Sequence, residues 1–316
     1  MTTEIILPKK NGDLNNDSKQ ILASFFANIS SPLTAREYKY AVKDFLSFLG
    51  GDISHPKELK RYHIVFYRNY LKDSGLFPNT IQKKMSAVSS FCKFLAEDGL
   101  VDKDITYGVR RPRTENKLET SDLTDEEVKK IFNALDPKKY NYFFYRAILA
   151  VGFYTGLRSQ EIRHLRIKNI GDVDGIKILH LKIKGDKTHE IPLHPFVLKA
   201  IYEHLEKLSV YGIDTTNPEQ VLFPSMKHRT NKPMTAVGLY YIFKGCLKKA
   251  GISKNDFRRY SPHSMRATFA SHLLNTKEEP LEDVQKALGH ASPTTTQKYN
   301  KRKKGHHESL VYRIDY

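Results

Sequence analysis

Apolar residues recur at helical spacing through the first hundred positions of the chain. They predict a helix from about residue 34, a second over about 57–73, and a third from Asn79 to Asp98-Gly99. A capping box of Thr34 and Glu37 is expected to start the first of these helices. Its inner face is expected to carry Tyr38, Ala41, Val42, Phe45, Phe48 and Leu49. The third helix is expected to bury Met85, Val88, Phe91, Cys92 and Leu95.

Polar segments divide the chain. Residues 1–20 lack an apolar pattern and predict a flexible arm, and the helices above predict a compact helical domain over 21–107. Residues 108–122 combine Gly, Pro and charge without periodicity, which is typical of a linker. A second domain is expected over 123–305, followed by a tail over 306–316.

The second domain begins with a helical pattern and then changes period. Thr124 and Glu127 form a capping box, and two further helical stretches over 140–168 are interrupted at Tyr154-Thr155-Gly156. From Asp172 the period becomes two, which predicts a hairpin or a small three-stranded antiparallel sheet. Helices are then expected over 195–209, 235–250, 262–275 and 280–288. The predicted fold is therefore mainly α with a small antiparallel β-sheet, in two domains.

Charge narrows the class of partner. The 316-residue chain has 52 Lys and Arg against 35 Asp and Glu, a formal net charge of +17, which favours an extended polyanion such as nucleic acid. Lys83 and Lys84 lie outside the apolar stripe of the third helix, and Arg110, Arg111 and Arg113 lie in the linker. All five are candidates to contact DNA phosphates, and a solvated basic surface is the alternative.

Cysteine usage and hydropathy indicate a compartment. The two cysteines, Cys92 and Cys246, show no zinc-ligand or disulfide spacing, which fits a reducing environment. No run approaches the length of a membrane span. We therefore expect a soluble cytoplasmic protein, associated with the nucleoid if its source is prokaryotic.

Six polar residues of the second half suggest a site for phosphate chemistry. Arg158 follows a Gly-marked helix break, and Arg266 lies three residues after His263 on one predicted helix face. Glu161 shares a helix face with Arg158 and would orient it. The other three candidates are Lys184 in a hairpin turn, His290 after a helix-ending glycine, and Tyr299 in a Thr-rich stretch before a basic run. Each alone has an ordinary structural explanation, and Lys187 competes with Lys184.

Several strings that contain these residues resemble the tyrosine recombinase family, the phage integrase-like and Xer-type site-specific recombinases. They are TGLRSQEIRHL, KGDKTHEIPL, PHSMRATFASHLL and DVQKALGHASPTTTQKYN in the second half, and SPLTAREYKYAVKDFLSFL and PNTIQKKMSAVSSFCKFL in the first. The resemblance covers nearly all of the chain beyond residue 20. It implies a C-shaped clamp on DNA, made of a SAM-like core-binding domain and a catalytic domain.

The resemblance also implies roles for the six residues. Arg158 and Arg266 would hold the scissile phosphate, Lys184 would be the general acid, and His263 would assist proton transfer. His290 would contact the phosphate and Tyr299 would be the nucleophile that forms a 3′-phosphotyrosyl link. No metal, ATP or other cofactor would be required. The expected partner is double-stranded DNA with a specific recombination site, bound by a homotetramer across two such sites; accessory proteins are unknown.

Alternatives remain at this point. The same chemistry serves a type IB topoisomerase-like relaxer or a telomere-resolving enzyme, and a non-catalytic basic DNA-binding protein explains the charge alone.

The tail alternates Leu310, Tyr312, Ile314 and Tyr316, which predicts a short strand that pairs with a sheet edge in its own or a neighbouring subunit.

Overall fold

The computed structural model describes residues 16–112, 120–183, 187–225, 230–252, 258–290 and 292–300. The chain divides into two compact units, Met1–Lys117 and Leu118–Tyr316. Arg113, Lys184 and the predicted tail strand lie outside the described residues, as do residues 1–15 of the predicted arm. The described secondary structure is mainly helical with a small antiparallel sheet, which confirms the predicted fold class.

Four α-helices lie in the described part of the first unit, residues 16–112. They are α1 (Asn16–Ala27), α2 (Pro32–Leu49), α3 (Arg61–Asp73) and α4 (Pro78–Glu97), with a 3₁₀ turn at Pro56–Glu58. Phe25, Phe45, Tyr67 and Phe91 are buried at the centre of this unit. All five residues expected on the inner face of the third predicted helix are buried. Burial raises the pKa of the Cys92 thiol to about 12, so this cysteine is a neutral packing residue.

Four predicted boundaries in this unit are wrong. Helix α3 begins at Arg61 and not near residue 57, because Pro56–Glu58 form a separate 3₁₀ turn that ends at Leu59. Residues 16–20 belong to α1, whose apolar residues Ile21, Leu22 and Phe25 are buried, so the arm does not extend to residue 20. Helix α2 begins at Pro32, and the Oγ of Ser31 accepts the Thr34 amide at 3.4 Å, in place of the capping box at Thr34. Helix α4 begins at Pro78 and not after Asn79. In both helices a proline occupies the first turn, where its missing N–H has no cost.

Residues 108–112 of the predicted linker are fixed to the first unit. The guanidinium of Arg111 donates to Ser86 Oγ at 2.8 Å and to Ser89 Oγ at 2.9 Å, both on α4. Gln82 Nε2, also on α4, donates to the Pro112 carbonyl at 3.0 Å. The start of the predicted linker therefore packs against α4 as part of the helical unit.

The second unit is larger. Its helices are α5 (Asp125–Asn133), α6 (Tyr142–Thr155), α7 (Ser159–His164), α8 (Pro195–Val210), α9 (Ala236–Lys249), α10 (His263–Ser271), α11 (Leu281–Leu288) and α12 (Pro293–Gln297). A π-helical turn, His272–Thr276, extends α10. Strands β1 (Ile170–Val173), β2 (Ile176–Ile183) and β3 (Lys187–Pro192) form an antiparallel sheet in that order. Two short strands, β4 (Pro224–Ser225) and β5 (Thr230–Pro233), pair separately and were not predicted.

The core of this unit places the elements that carry the candidate site. Helix α6 is buried on nearly all sides, and Gly152 lets α10 approach it closely. A Cβ at Gly152 would lie only 2.3 Å from Met265 Sδ, so no larger residue fits there without movement. The predicted capping box at α5 is confirmed: Thr124 Oγ1 accepts from the Glu127 amide at 3.2 Å, and Glu127 Oε2 accepts from the Thr124 amide at 2.8 Å.

Candidate active site

The junction between α6 and α7 presents Arg158. Gly156 ends α6 in the left-handed region, with φ 61°, as the predicted break at Tyr154-Thr155-Gly156 requires. Arg158 is the N-cap of α7, and its side chain is exposed. Glu161 accepts the Arg158 amide at 2.7 Å through Oε2 and the Arg158 guanidinium at 2.8 Å through Oε1. The predicted orienting contact between Glu161 and Arg158 is therefore present.

Helix α10 carries His263 at its first residue and Arg266 one turn later. Arg266 is only 2% exposed, which is rare for an arginine. Its two terminal nitrogens donate to main-chain carbonyls, one to Gly156 at 2.7 Å and the other to Leu288 at 2.8 Å. The guanidinium thus joins the end of α6 to the end of α11, and its position is fixed from both sides.

His290 leaves the C-terminus of α11 in a fixed direction. Gly289 caps α11 in the left-handed region with φ 61°, which is the predicted helix end. The His290 amide donates to the Gln285 carbonyl at 3.1 Å, and Gln285 Nε2 donates to the His290 carbonyl at 3.0 Å. His290 is 9% exposed, and its Nδ1 lies 2.8 Å from Thr296 Oγ1.

Tyr299 follows α12 and is partly buried. Its hydroxyl lies 3.1 Å from His263 Nε2, which is hydrogen-bonding distance. Its amide donates to the Thr296 carbonyl at 3.0 Å, and its carbonyl accepts from Asn275 Nδ2 at 3.0 Å. Asn275 lies in the π-helical turn after α10, so this turn holds the segment that carries Tyr299.

The electrostatics of the cluster keep its histidines neutral. Burial and the positive charges of Arg266 and Arg158 lower the pKa of His290 to about 4. The same causes, with loss of water contact first, lower the pKa of His263. Burial and the charge of Arg158 lower the pKa of Arg266 to about 10, which leaves it a cation at neutral pH. The cluster therefore combines two cations with two neutral imidazoles, an arrangement that attracts an anion.

The structure thus brings together five of the six predicted residues: Arg158, His263, Arg266, His290 and Tyr299. Lys184 lies outside the described residues, between β2 and β3. The candidate DNA contacts are in the first unit, where Lys83 and Arg110 are exposed and Lys84 Nζ pairs with Asp44 Oδ2 at 2.7 Å. The contacts of Thr296 and Asn275 within the cluster were not predicted. The Thr-rich run before Tyr299 was visible in the sequence, but no residue pattern distinguished Thr296 from its neighbours.

Comparisons with known proteins identify the family. The family model described as "Phage integrase family" matches residues 121–306, and the model described as "Phage integrase, N-terminal SAM-like domain" matches residues 23–99. Tyrosine recombinase XerC of Bacillus pumilus is 30% identical over 274 residues, covering 85% of this chain and 86% of the relative. Tyrosine recombinase XerD of Staphylococcus aureus is 29% identical over 267 residues, covering 84% and 86%.

Solved structures share the fold. The XerH site-specific recombinase bound to its difH substrate superposes with a TM-score of 0.67 at 21% identity, covering 91% of this chain and 81% of that one. A lambda integrase dimer bound to a COC′ core site gives a TM-score of 0.67 at 17% identity, covering 91% and 79%.

These matches define the class of the protein, a tyrosine-type site-specific recombinase or integrase that acts on DNA. The chain belongs to the phage integrase family.

Proposed function

We propose that Tyr299 is the nucleophile of a strand-transfer reaction on double-stranded DNA. The phenolic oxygen of Tyr299 forms a bond to the scissile phosphorus as the bond from phosphorus to the 5′ oxygen breaks. The products are a 3′-phosphotyrosyl link and a free 5′ hydroxyl. Attack by the 5′ hydroxyl of another strand reverses the steps and releases Tyr299. The bond energy is conserved in the phosphotyrosine, so no ATP enters.

The observation that carries this proposal is the hydrogen bond between Tyr299 and His263, beside two arginines. A tyrosine has an ordinary pKa near 10 and needs a base to attack at neutral pH. His263 is neutral because its pKa is lowered, and its Nε2 lies 3.1 Å from the phenol oxygen, so it is placed to accept the proton. Arg158 and Arg266 then stabilise the charge that develops on the non-bridging oxygens.

The remaining roles complete the proposal. His290 donates a hydrogen bond to a phosphate oxygen, and Lys184 protonates the leaving 5′ oxygen. Lys187 stays the alternative to Lys184. Glu161 supports Arg158 through the two contacts described above.

A covalent adduct tests the proposal. A library of nicked duplexes with a randomised core is incubated with the protein, denatured in detergent, and searched for protein-linked DNA, which is amplified to yield a selected nicked duplex. We expect an adduct with the wild type and with Tyr202→Phe, a control tyrosine that is 47% exposed on α8. Tyr299→Phe should give none. An adduct that persists in Tyr299→Phe, or no adduct with the wild type, contradicts the proposed nucleophile.

We further propose that Lys83, Lys84, Arg110, Arg111 and Arg113 contact DNA phosphates. Each phosphate neutralised adds about 0.9 to the slope of log affinity against log salt. Lys83→Ala should reduce that slope by about one, whereas Lys93→Ala, an exposed lysine paired with Glu97 on the same helix, should not. Equal slopes for both variants would remove Lys83 from the interface.

The assembly and the location are also proposals. We place a homotetramer on two recombination sites, in the cytoplasm and with the nucleoid in a prokaryote, as the resemblance to the tyrosine recombinase family implies. The predicted strand over 310–316 would dock on its own or a neighbouring subunit. Deleting residues 309–316 should leave cleavage of the selected nicked duplex and impair paired strand exchange. Full exchange by the truncated protein would exclude a docking role.

A further inference from the structure

The hydroxyl of Thr296 joins the two parts of the candidate site that carry His290 and Tyr299. Its Oγ1 lies 2.8 Å from His290 Nδ1, and its carbonyl accepts the Tyr299 amide at 3.0 Å. The Thr296 residue is fully buried, so water does not replace its hydroxyl at the imidazole. Among the described residues, no other hydrogen bond involves the His290 ring.

The direction of this hydrogen bond decides which nitrogen of His290 carries the proton. A neutral imidazole has one N–H and one acceptor nitrogen. His290 is neutral at physiological pH because burial and the neighbouring arginines lower its pKa to about 4. If Nδ1 held the proton, Nε2 would present a lone pair to the phosphate oxygens, which are themselves acceptors only.

We propose that Thr296 is a positioning residue that donates its hydroxyl proton to His290 Nδ1 and thereby keeps the N–H of His290 on Nε2. Nε2 is the ring nitrogen left to face the substrate, and with its proton it donates to a phosphate oxygen without carrying a charge. The main chain on both sides of His290 is already fixed by Gln285, so the hydroxyl of Thr296 sets the tautomer and the ring rotation together. This inference rests on the proposed function, since it assigns a donor to a phosphate.

The tautomer is measurable without DNA. Long-range ¹H–¹⁵N spectra of protein labelled at histidine nitrogens, assigned with His290→Ala, distinguish Nε2–H from Nδ1–H. We expect Nε2–H in the wild type and in Thr296→Ser, which keeps the hydroxyl. Thr296→Val keeps the size and branching but loses the hydroxyl, and should give a mixture. Nδ1–H in the wild type overturns the proposal, and so does an unchanged tautomer in Thr296→Val.

Cleavage of the selected nicked duplex provides the second measurement. Thr296→Val should lower the cleavage rate about ten-fold, the factor expected for one hydrogen bond of ordinary strength, and Thr296→Ser should recover most of it. In a His290→Ala background, Thr296→Val should change the rate less than about two-fold, because its effect passes through His290. An undiminished effect in that background means that Thr296 acts by another route and refutes the proposal.

The two readouts separate two kinds of failure. A wild-type protein that forms no adduct with any nicked duplex counts against the proposed nucleophile, whatever the tautomer is. A wild type that cleaves DNA while His290 holds its proton on Nδ1 leaves the proposed function intact and removes the role of Thr296.

Discussion

Replacing each of the two site arginines by lysine should distinguish a loss of folding stability from a loss of cleavage activity. Arg266 is buried and donates to the carbonyls of Gly156 and Leu288, whereas Arg158 is exposed and pairs with Glu161 on its own helix. We expect Arg266→Lys to destabilise the protein and Arg158→Lys to leave its stability nearly unchanged. Both should lose cleavage activity, because an ammonium does not reproduce the planar fork that matches two phosphate oxygens.

The structure sets the size of the difference. A single ammonium in place of the Arg266 guanidinium reaches at most one of the two carbonyls with good geometry, and a buried carbonyl left without a donor costs about 1–3 kcal/mol. For a domain of this size, about 2 kcal/mol corresponds to a decrease in Tm of roughly 4–8 °C. The exposed pair of Arg158 and Glu161 contributes less than about 1 kcal/mol, so Arg158→Lys should shift Tm by at most a few degrees.

Thermal unfolding followed by circular dichroism, with urea unfolding at 25 °C as a second measure, gives the comparison. Cleavage of the selected nicked duplex is measured on the same samples. Equal Tm values for the wild type and Arg266→Lys would refute the conclusion that the guanidinium joins α6 to α11. A loss of stability in Arg158→Lys as large as that in Arg266→Lys would show that the difference in burial does not determine how much each arginine contributes to stability.

Three further predictions use the same unfolding assays. Gly156→Ala and Gly175→Ala both place alanine at positive φ, at 61° and 80°. Only at Gly156 does the new Cβ meet a side chain, 2.5 Å from Phe269 Cδ1, so Gly156→Ala should lower the free energy of unfolding by at least about 1 kcal/mol more than Gly175→Ala. Equal losses of stability in the two variants would contradict this packing. His290 and His204 have folded pKa values of about 4 against an ordinary 6.5, so their contribution is complete above about pH 6.5 and is lost as the pH falls towards 4. Protonation of each histidine should lower the free energy of unfolding by about 2 kcal/mol between pH 7 and pH 5. His204→Gln should make stability depend less steeply on pH, and an unchanged pH dependence in that variant would exclude a contribution from His204. Thr124→Ala removes the confirmed cap of α5 and should cost about 1 kcal/mol, and no change in urea midpoint would exclude that role.

Local sequence patterns predicted most of the elements because their signals are local. The capping box at Thr124, the break at Gly156 and the end of α11 at Gly289 each depend on residues within one or two turns. The incorrect predictions also arose from local signals. At Ser31 and Pro32 two capping solutions competed, and the one with proline in the first turn is the one the chain adopts. Strands β4 and β5 are too short to produce a periodic pattern.

The candidate site was predicted as a set of residues and not as a geometry. Order and context along the chain grouped five residues that the structure brings together, but the contacts that fix them come from distant positions. Arg266 is 110 residues from Gly156, and Asn275 reaches Tyr299 because a π-helical turn redirects the chain after α10. Single-sequence periodicity carries no signal for such contacts, because they depend on how whole helices pack.

The hydrogen bond between Tyr299 and His263 lies within a single chain, and so do the bonds that hold Arg266 in place. With the proposed roles, every copy would therefore carry the nucleophile together with the base and the arginine that assist it. Genetic complementation between two defective forms should then fail, because a mixture of Tyr299→Phe and Arg266→Lys contains no subunit with a complete site. In the proposed assembly, a single inactive copy would leave its own DNA strand uncut while its neighbours still cut theirs.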